Sequence, residues 1–319
     1  MMRPLCFLLA LFAAAASSPA QTVTIGVFSL FHATELRVMP ADSPILIAAG
    51  GRAPVLLTGE RGSRIASLRL DGAELLLRGK KVASVKVSAR DGGETEFVLE
   101  IPGKIRRRFR GTLTVFTRNQ QLVPVVRMDL ETAVASIVSA ESVPGAGLEA
   151  LKAQAVAARS YLLAGGRHRD YEFCDSTHCQ FLRSPPARGS SADRAARETR
   201  GLVLTWHGQV LRARYSSRCG GRTVSLRELG IATNGYPYFP VVCAWCRRHP
   251  LPGTKSNSMS HRGPCERAGE PGRTVGLCQH GAAGMAKAGV KFDAILRHYY
   301  PETGLMDDSA VRASSNLPR

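Results

Sequence analysis

The sequence predicts an α+β protein in which a β-rich N-terminal portion packs with a mixed helix/strand core around a cleft. Three observations carry this expectation. Residues 22–125 hold short β-branched runs, among them TVTIGVF, PVLLT, SVKVSA, TEFVLEI, TLTVF and LVPVV, bounded by Gly, Asp, Asn and Pro. From Asp129 to Leu163 the apolar residues change to helical spacing. Beyond that, short helical and strand signals alternate with polar loops rich in Gly, Pro and Ser. The boundaries read as a leader over 1–20, a β-rich region over 21–125, a core over 126–305 and a flexible tail over 306–319.

The leader MMRPLCFLLALFAAAASSPAQ has one basic residue, an apolar run from Leu5 to Ala16 and small residues before Gln21. That is the pattern of a secretory signal peptide, and the run is too short for a membrane span. No later stretch is long and apolar enough to cross a bilayer, so the mature chain is expected to be secreted, periplasmic or otherwise in the cell envelope, with no transmembrane segment. A formal charge of +18 in 319 residues suggests a polyanionic partner. Export and the lack of any recognisable reading helix argue against nucleic acid and leave cell-wall polymer or anionic lipid surfaces. The densest basic run, Lys104 to Arg110, reads as a solvated face or a contact surface.

In the helical stretch, Leu130, Val134, Ile137 and Val138 form an apolar stripe whose next position is Glu141. Asp129 is the expected N-cap, and Val143-Pro144-Gly145 stops the helix just after Glu141. A carboxyl on a core-facing stripe in a last helical turn has its charged form disfavoured by burial and by the negative helix end. A raised pKa is expected, which suits a general acid near neutral pH. The alternative is a side chain swung to the surface at a frayed helix end. A second, alanine-rich helix is expected over Leu148–Leu163, fit for close packing. Residues 164–200 read as loop, 196–217 as a helical end and hairpin turning at Trp206-His207-Gly208, 247–276 as a long loop, and 281–289 and 292–299 as helices.

The segment Cys174-Asp175-Ser176-Thr177-His178-Cys179 places two thiols and an imidazole close together, with His168 as a fourth candidate ligand. Zinc at Cys174, His178 and Cys179, a local disulfide and simple packing are all open. Cys243-Ala244-Trp245-Cys246 is a lone CxxC, and with Cys265 and Cys278 it reads best as disulfides stapling the 247–276 loop. Trp245, Tyr236, Tyr238 and Phe239 are either core or a sugar-stacking platform.

Four pieces in order, SAE-(x)7-EALKAQAVAARSY, YEFCDSTHCQ, RCGG and GMAKAG…ILRHYYPET, resemble the SpoIID family of sporulation and cell-wall proteins, over roughly residues 105–303. The resemblance implies a peptidoglycan lytic transglycosylase with Glu141 as catalytic acid and a 1,6-anhydro product. It makes Lys152, Gln154, Arg159, Tyr215, Ser216, Ser217, Cys219 and Gln279 candidates for contacting glycan, requires no cofactor, and implies that zinc is held near the acid in some members. It departs from the family's usual residues at Ala146-Gly147, where Trp-Pro is expected, at Arg273, in place of His, and at Cys278, in place of Ser. The alternative is therefore a non-catalytic wall-binding module that recruits or enhances an amidase. Either way the expected partner is the peptidoglycan glycan strand.

Overall fold

The computed structural model describes residues 21–59, 64–250 and 274–315. The expected leader and most of the 247–276 loop, with Cys265 and Arg273, lie outside the described residues. Among the described residues eleven strands precede the helix that starts at Leu130: β1 (Thr22–Gly26), β2 (Glu35–Pro40), β3 (Ile45–Ala49), β4 (Val55–Leu57), β5 (Ala66–Asp71), β6 (Glu74–Leu77), β7 (Lys80–Val82), β8 (Val85–Ser88), β9 (Thr95–Ile101), β10 (Ile105–Arg118) and β11 (Gln121–Asp129). With β12 (Phe173–Cys174), which runs parallel to β1, they join one curled, mainly antiparallel sheet. The fold is α+β and rich in β structure, as the residue pattern indicates.

The curl has a local cause. Strand β10 pairs with β9 from Ile105 to Gly111, then with β11 from Thr112 and with β8 over Leu113–Val115. Gly111 sits at that change of partner with φ +145°, and a Cβ there would lie 2.3 Å from the Arg127 carbonyl oxygen. Only glycine lets the two backbones approach so closely at this corner. Alternation then sets the inner face, because Thr95, Phe97, Leu99 and Ile101 of β9 all point inward.

Helix α1 (Leu130–Glu141) continues directly from β11, capped by Asp129, whose Oδ1 accepts from the Thr132 N–H at 3.0 Å. Helix α2 (Leu148–Leu163) is buried on two sides. Leu151, Ala155, Ala158 and Leu162 pack into the core beneath the sheet, while Ala150, Ala153, Val156 and Ala157 pack into a second core. Its alanines are the physical reason it can serve as the wall between the two, since each lets a neighbour approach to backbone distance. That shared helix also means the β-rich portion and the following core are joined by packing, with the strand region running to Asp129.

The second core is closed by β13 (Leu202–Trp206), β14 (Gln209–Val210), β15 (Tyr215–Ser216), α4 (Ala244–Arg248), β16 (Leu277–Cys278), α5 (Gln279–Lys287) and α6 (Phe292–Tyr299). Helix α3 (Ser191–Glu198), which falls in the span expected to be loop, starts at the Ser190 cap and carries the ion pairs Arg194–Glu198 and Arg197–Asp193 at i,i+4 spacing. The expected flexible tail is likewise corrected. Strand β17 (Gly304–Asp307) pairs with β13, and helix α7 (Asp308–Ser315) follows with Val311 buried. Among the described residues no helix is long and apolar enough to cross a membrane.

The basic run of β10 is largely paired within the chain. Arg107 meets Asp175 at 3.0 Å, Arg108 bonds Asp42 and Glu96, and Arg110 bonds Glu96. Tyr236 and Tyr238 are buried, and the Trp245 ring packs where a Gly284 Cβ would otherwise stand, so these aromatics belong to the second core.

Candidate active-site cleft

The helix stop after Glu141 places its carboxyl at the meeting of three segments. A cleft of about 850 Å³ opens there, with the turn 176–181 after β12 on one side and β15, Ser217 and Gln279 on the other. The Glu141 side chain forms part of the lining, with Tyr161 of α2 behind it. Glu141 Oε1 accepts the Phe181 backbone N–H at 2.8 Å, and Oε2 accepts the Tyr215 hydroxyl. The Gln279 side-chain amide donates to the Glu141 backbone carbonyl at 2.9 Å, satisfying one of the carbonyls that a helix end leaves without an intrahelical partner.

Burial pushes the Glu141 pKa up from 4.5 to about 7, against the opposing pull of the Tyr215 and Phe181 hydrogen bonds. Desolvation, followed by the charge of Glu141, holds the Tyr215 phenol well above its ordinary value, so it remains a donor. Among the described lining residues Glu141 is the single carboxylate. Arg167 and Arg214 supply positive charge to the cleft lining. The arrangement can hold a carboxyl half-protonated near neutral pH, give up the proton inside a cleft, and steady the resulting carboxylate with two donors.

Of the residues singled out in the sequence, Glu141, Tyr215, Ser216, Ser217 and Gln279 meet in this cleft, and the candidate metal ligands His178 and Cys179 line it too. The other candidates for contacting glycan are placed elsewhere. Arg159 is fully buried, its guanidinium bonded to both Glu131 carboxylate oxygens at 2.7 and 2.6 Å and to the Leu202 and Ala196 carbonyls. It braces α2 against α1 and α3. Lys152 is ion-paired to Glu149 at 3.1 Å and Glu198 at 2.7 Å, outside the lining. Gln154 is buried behind the acid, accepting from the Ser142 hydroxyl at 3.1 Å. Cys219 lies in the second core among three other cysteines. An alanine-rich helix buried on two sides has little spare face, so Lys152, Gln154 and Arg159 bond to neighbouring segments of the chain, and Tyr161 is its residue in the cleft lining.

The turn at 176–179 solves the problem of two adjacent ligands. The Cys179 N–H bonds the Ser176 carbonyl at 3.0 Å, bringing His178 Nδ1 to 3.7 Å from Cys174 Sγ and 3.6 Å from Cys179 Sγ. His168 Nε2 lies 3.2 Å from Cys179 Sγ, and all four ligand atoms fall within 4.8 Å of one another. Two thiols and two imidazoles in that space suit a four-coordinate zinc ion, and the thiols are not joined in a disulfide. Asp175, between them, accepts the Phe28 N–H at 2.9 Å and pairs with Arg107, which ties this turn to the sheet. Sequence reasoning missed the Phe181 N–H and the direct bond from Tyr215 to the acid. A backbone donor has no residue signature, and the 74 positions between Tyr215 and Glu141 hide their contact.

The SpoIID family, described as stage II sporulation protein, matches residues 118–206, a span from the end of β10 through Glu141 and the cysteine turn to β13. An uncharacterized protein of Brachyspira hyodysenteriae is 29% identical over 159 residues, which is 48% of this chain and 42% of that protein. The match thus spans less than half of the relative's length.

Proposed function

We propose, for a chain that belongs to the cell-wall-related SpoIID family over residues 118–206, that it cleaves peptidoglycan glycan strands outside the cytoplasm by the lytic transglycosylase route. The observation that carries this reading is the Glu141 carboxyl, raised to about 7 and lodged in an open cleft between the Tyr215 hydroxyl and the Phe181 N–H. Protonated Glu141 donates to the glycosidic oxygen as positive charge develops at the anomeric carbon of N-acetylmuramic acid. The bond to the leaving sugar breaks with its electron pair going to that oxygen. The Glu141 carboxylate, now held by Tyr215 and Phe181, takes the proton of the sugar's own C6 hydroxyl as that oxygen closes the 1,6-anhydro ring. One carboxyl serves as acid and then base, in keeping with a lining that offers a single carboxylate among its described residues. Two-carboxylate hydrolysis would need a second carboxylate to activate water, and the described lining residues offer none beside Glu141. Arg167 and Arg214 are placed to attract an anionic strand.

Zinc, when bound by His168, Cys174, His178 and Cys179, supplies a structural cross-link. These ligands would fix the turn that presents the Phe181 N–H to Glu141.

The test is to incubate the purified chain and its Glu141→Gln variant with glycan strands, with and without stem peptides, and to analyse chain ends by mass spectrometry. Anhydro ends from the wild type and none from the variant support the reading. Hydrolytic reducing ends would refute it. Binding without any product would assign the chain to the alternative role of a wall-binding amidase enhancer, to which Ala146-Gly147 in place of the family's usual Trp-Pro points.

A further inference from the structure

Away from the acid, four cysteines from three separate stretches of chain converge in the second core. Cys219 follows β15, Cys243 and Cys246 flank the first turn of α4, and Cys278 ends β16. All four are buried, none is in a disulfide, and their sulfur atoms lie within 4.8 Å of one another, with Cys246 and Cys278 at 3.5 Å. This corrects the expectation that the lone CxxC staples the following loop, because Cys219 and Cys278 supply the partners that its spacing lacks.

We propose that Cys219, Cys243, Cys246 and Cys278 form a tetrathiolate site for one zinc ion. A Zn–S length of about 2.3 Å places tetrahedral sulfurs about 3.8 Å apart, inside the spread seen here. Two disulfides would require closeness within two pairs and separation between them, whereas every sulfur here is near all three others. The surroundings provide for negative charge on the sulfurs. The Gly281 N–H donates to Cys278 Sγ at 3.3 Å from the N-terminal turn of α5, and the Tyr299 hydroxyl is 3.4 Å from Cys243 Sγ. Gly281 permits this approach, since a Cβ there would lie 1.9 Å from the Tyr299 oxygen and 2.5 Å from Cys243 Sγ. An ion in the site would pin the β15–β16 pair, in which Ser216 faces Cys278, to α4. That pair carries Tyr215, and Gln279 follows it directly, so the tie would hold two partners of Glu141 in place without touching substrate. The site is independent of what Glu141 does.

The experiment uses the full chain with Cys174→Ser and His178→Ala, which removes the competing cluster near the cleft, and compares it with the same chain also carrying Cys246→Ser. Both are purified without chelators, and zinc per chain is measured by plasma mass spectrometry. The expected result is a fall from one zinc to none on adding Cys246→Ser. X-ray absorption at the zinc edge of the parent chain is expected to show four sulfur ligands at about 2.3 Å. That measurement decides the matter if the Cys246→Ser chain does not fold. Zinc retained after Cys246→Ser, nitrogen or oxygen ligands in the parent, or the four cysteines recovered as two disulfides with no bound zinc would each overturn the proposal.

Discussion

Replacing Glu141 with Gln should make the protein more stable at alkaline pH, by an amount that the environment of the acid sets. The pKa is raised on folding, so the folded chain holds its proton more tightly than the unfolded chain. The associated stability is fully present below 4.5 and is lost as pH rises through about 7, where the carboxylate must ionise in place. Moving the midpoint from 4.5 to about 7 corresponds to about 3.4 kcal/mol at about 1.36 kcal/mol per pH unit. Between about pH 5 and about pH 8.5, the linkage relation leaves about 2.5 kcal/mol of that change to be observed. Gln has the same shape and does not ionise, so its stability lacks this component. Urea unfolding of both chains across that range should give a stability difference that moves by about 2.5 kcal/mol in favour of the variant as pH rises. Other titrating groups are common to both chains and drop out of the comparison. A difference that stays flat, or moves in favour of the wild type, would refute the claim that burial dominates the environment of this carboxyl.

Tyr215→Phe removes a donor that holds the Glu141 pKa down, so the upper limb of any pH–rate profile should move to higher pH. The shift is expected to be about one to two units, given about 1.5–3 kcal/mol for a hydrogen bond to a charged group, and a downward shift would contradict the assignment. Arg159→Met leaves the Glu131 carboxylate without its bidentate partner in the junction of three helices, and should cost about 3–5 kcal/mol by urea unfolding, with little loss if the pair is dispensable. Gly276→Ala places a Cβ 2.1 Å from the Arg214 carbonyl oxygen at a φ of +71°, and should lower the melting temperature and disturb the cleft wall at Arg214 and Val275. An unchanged melting temperature would show that this backbone can relax.

Much of this architecture is written locally. The Asp129 cap, the helix ending at Glu141 and the helix over Leu148–Leu163 follow from spacing and stop signals, and the structure places both helices at those bounds. Strands such as β9, with its strict alternation, were equally legible. Strands β2 and β5–β7 are less legible, because Glu35, Arg37, Arg69, Glu74, Lys80 and Lys81 interrupt their apolar runs, and pairing makes them strands. The site divides in the same way. Glu141 announces itself as a carboxylate on an apolar stripe, whereas the Phe181 N–H, the four-cysteine cluster and the burial of Arg159 are products of contacts between residues tens of positions apart. Composition and spacing carry no trace of those distances. Lys152 and Arg159 show the limit from the other side, since a cation beside a packing helix finds a carboxylate there more readily than a ligand.

The pH dependence of glycan-strand cleavage by wild type and Glu141→Gln tests the central claim most directly. Cleavage to anhydro ends should hold on the acid side of about 7 and fall as the carboxyl loses its proton above it, with the variant inactive throughout. Cleavage that survives Glu141→Gln, or a wild-type profile that falls near the ordinary carboxylate midpoint of 4.5, would contradict a proton-loaded acid in this cleft.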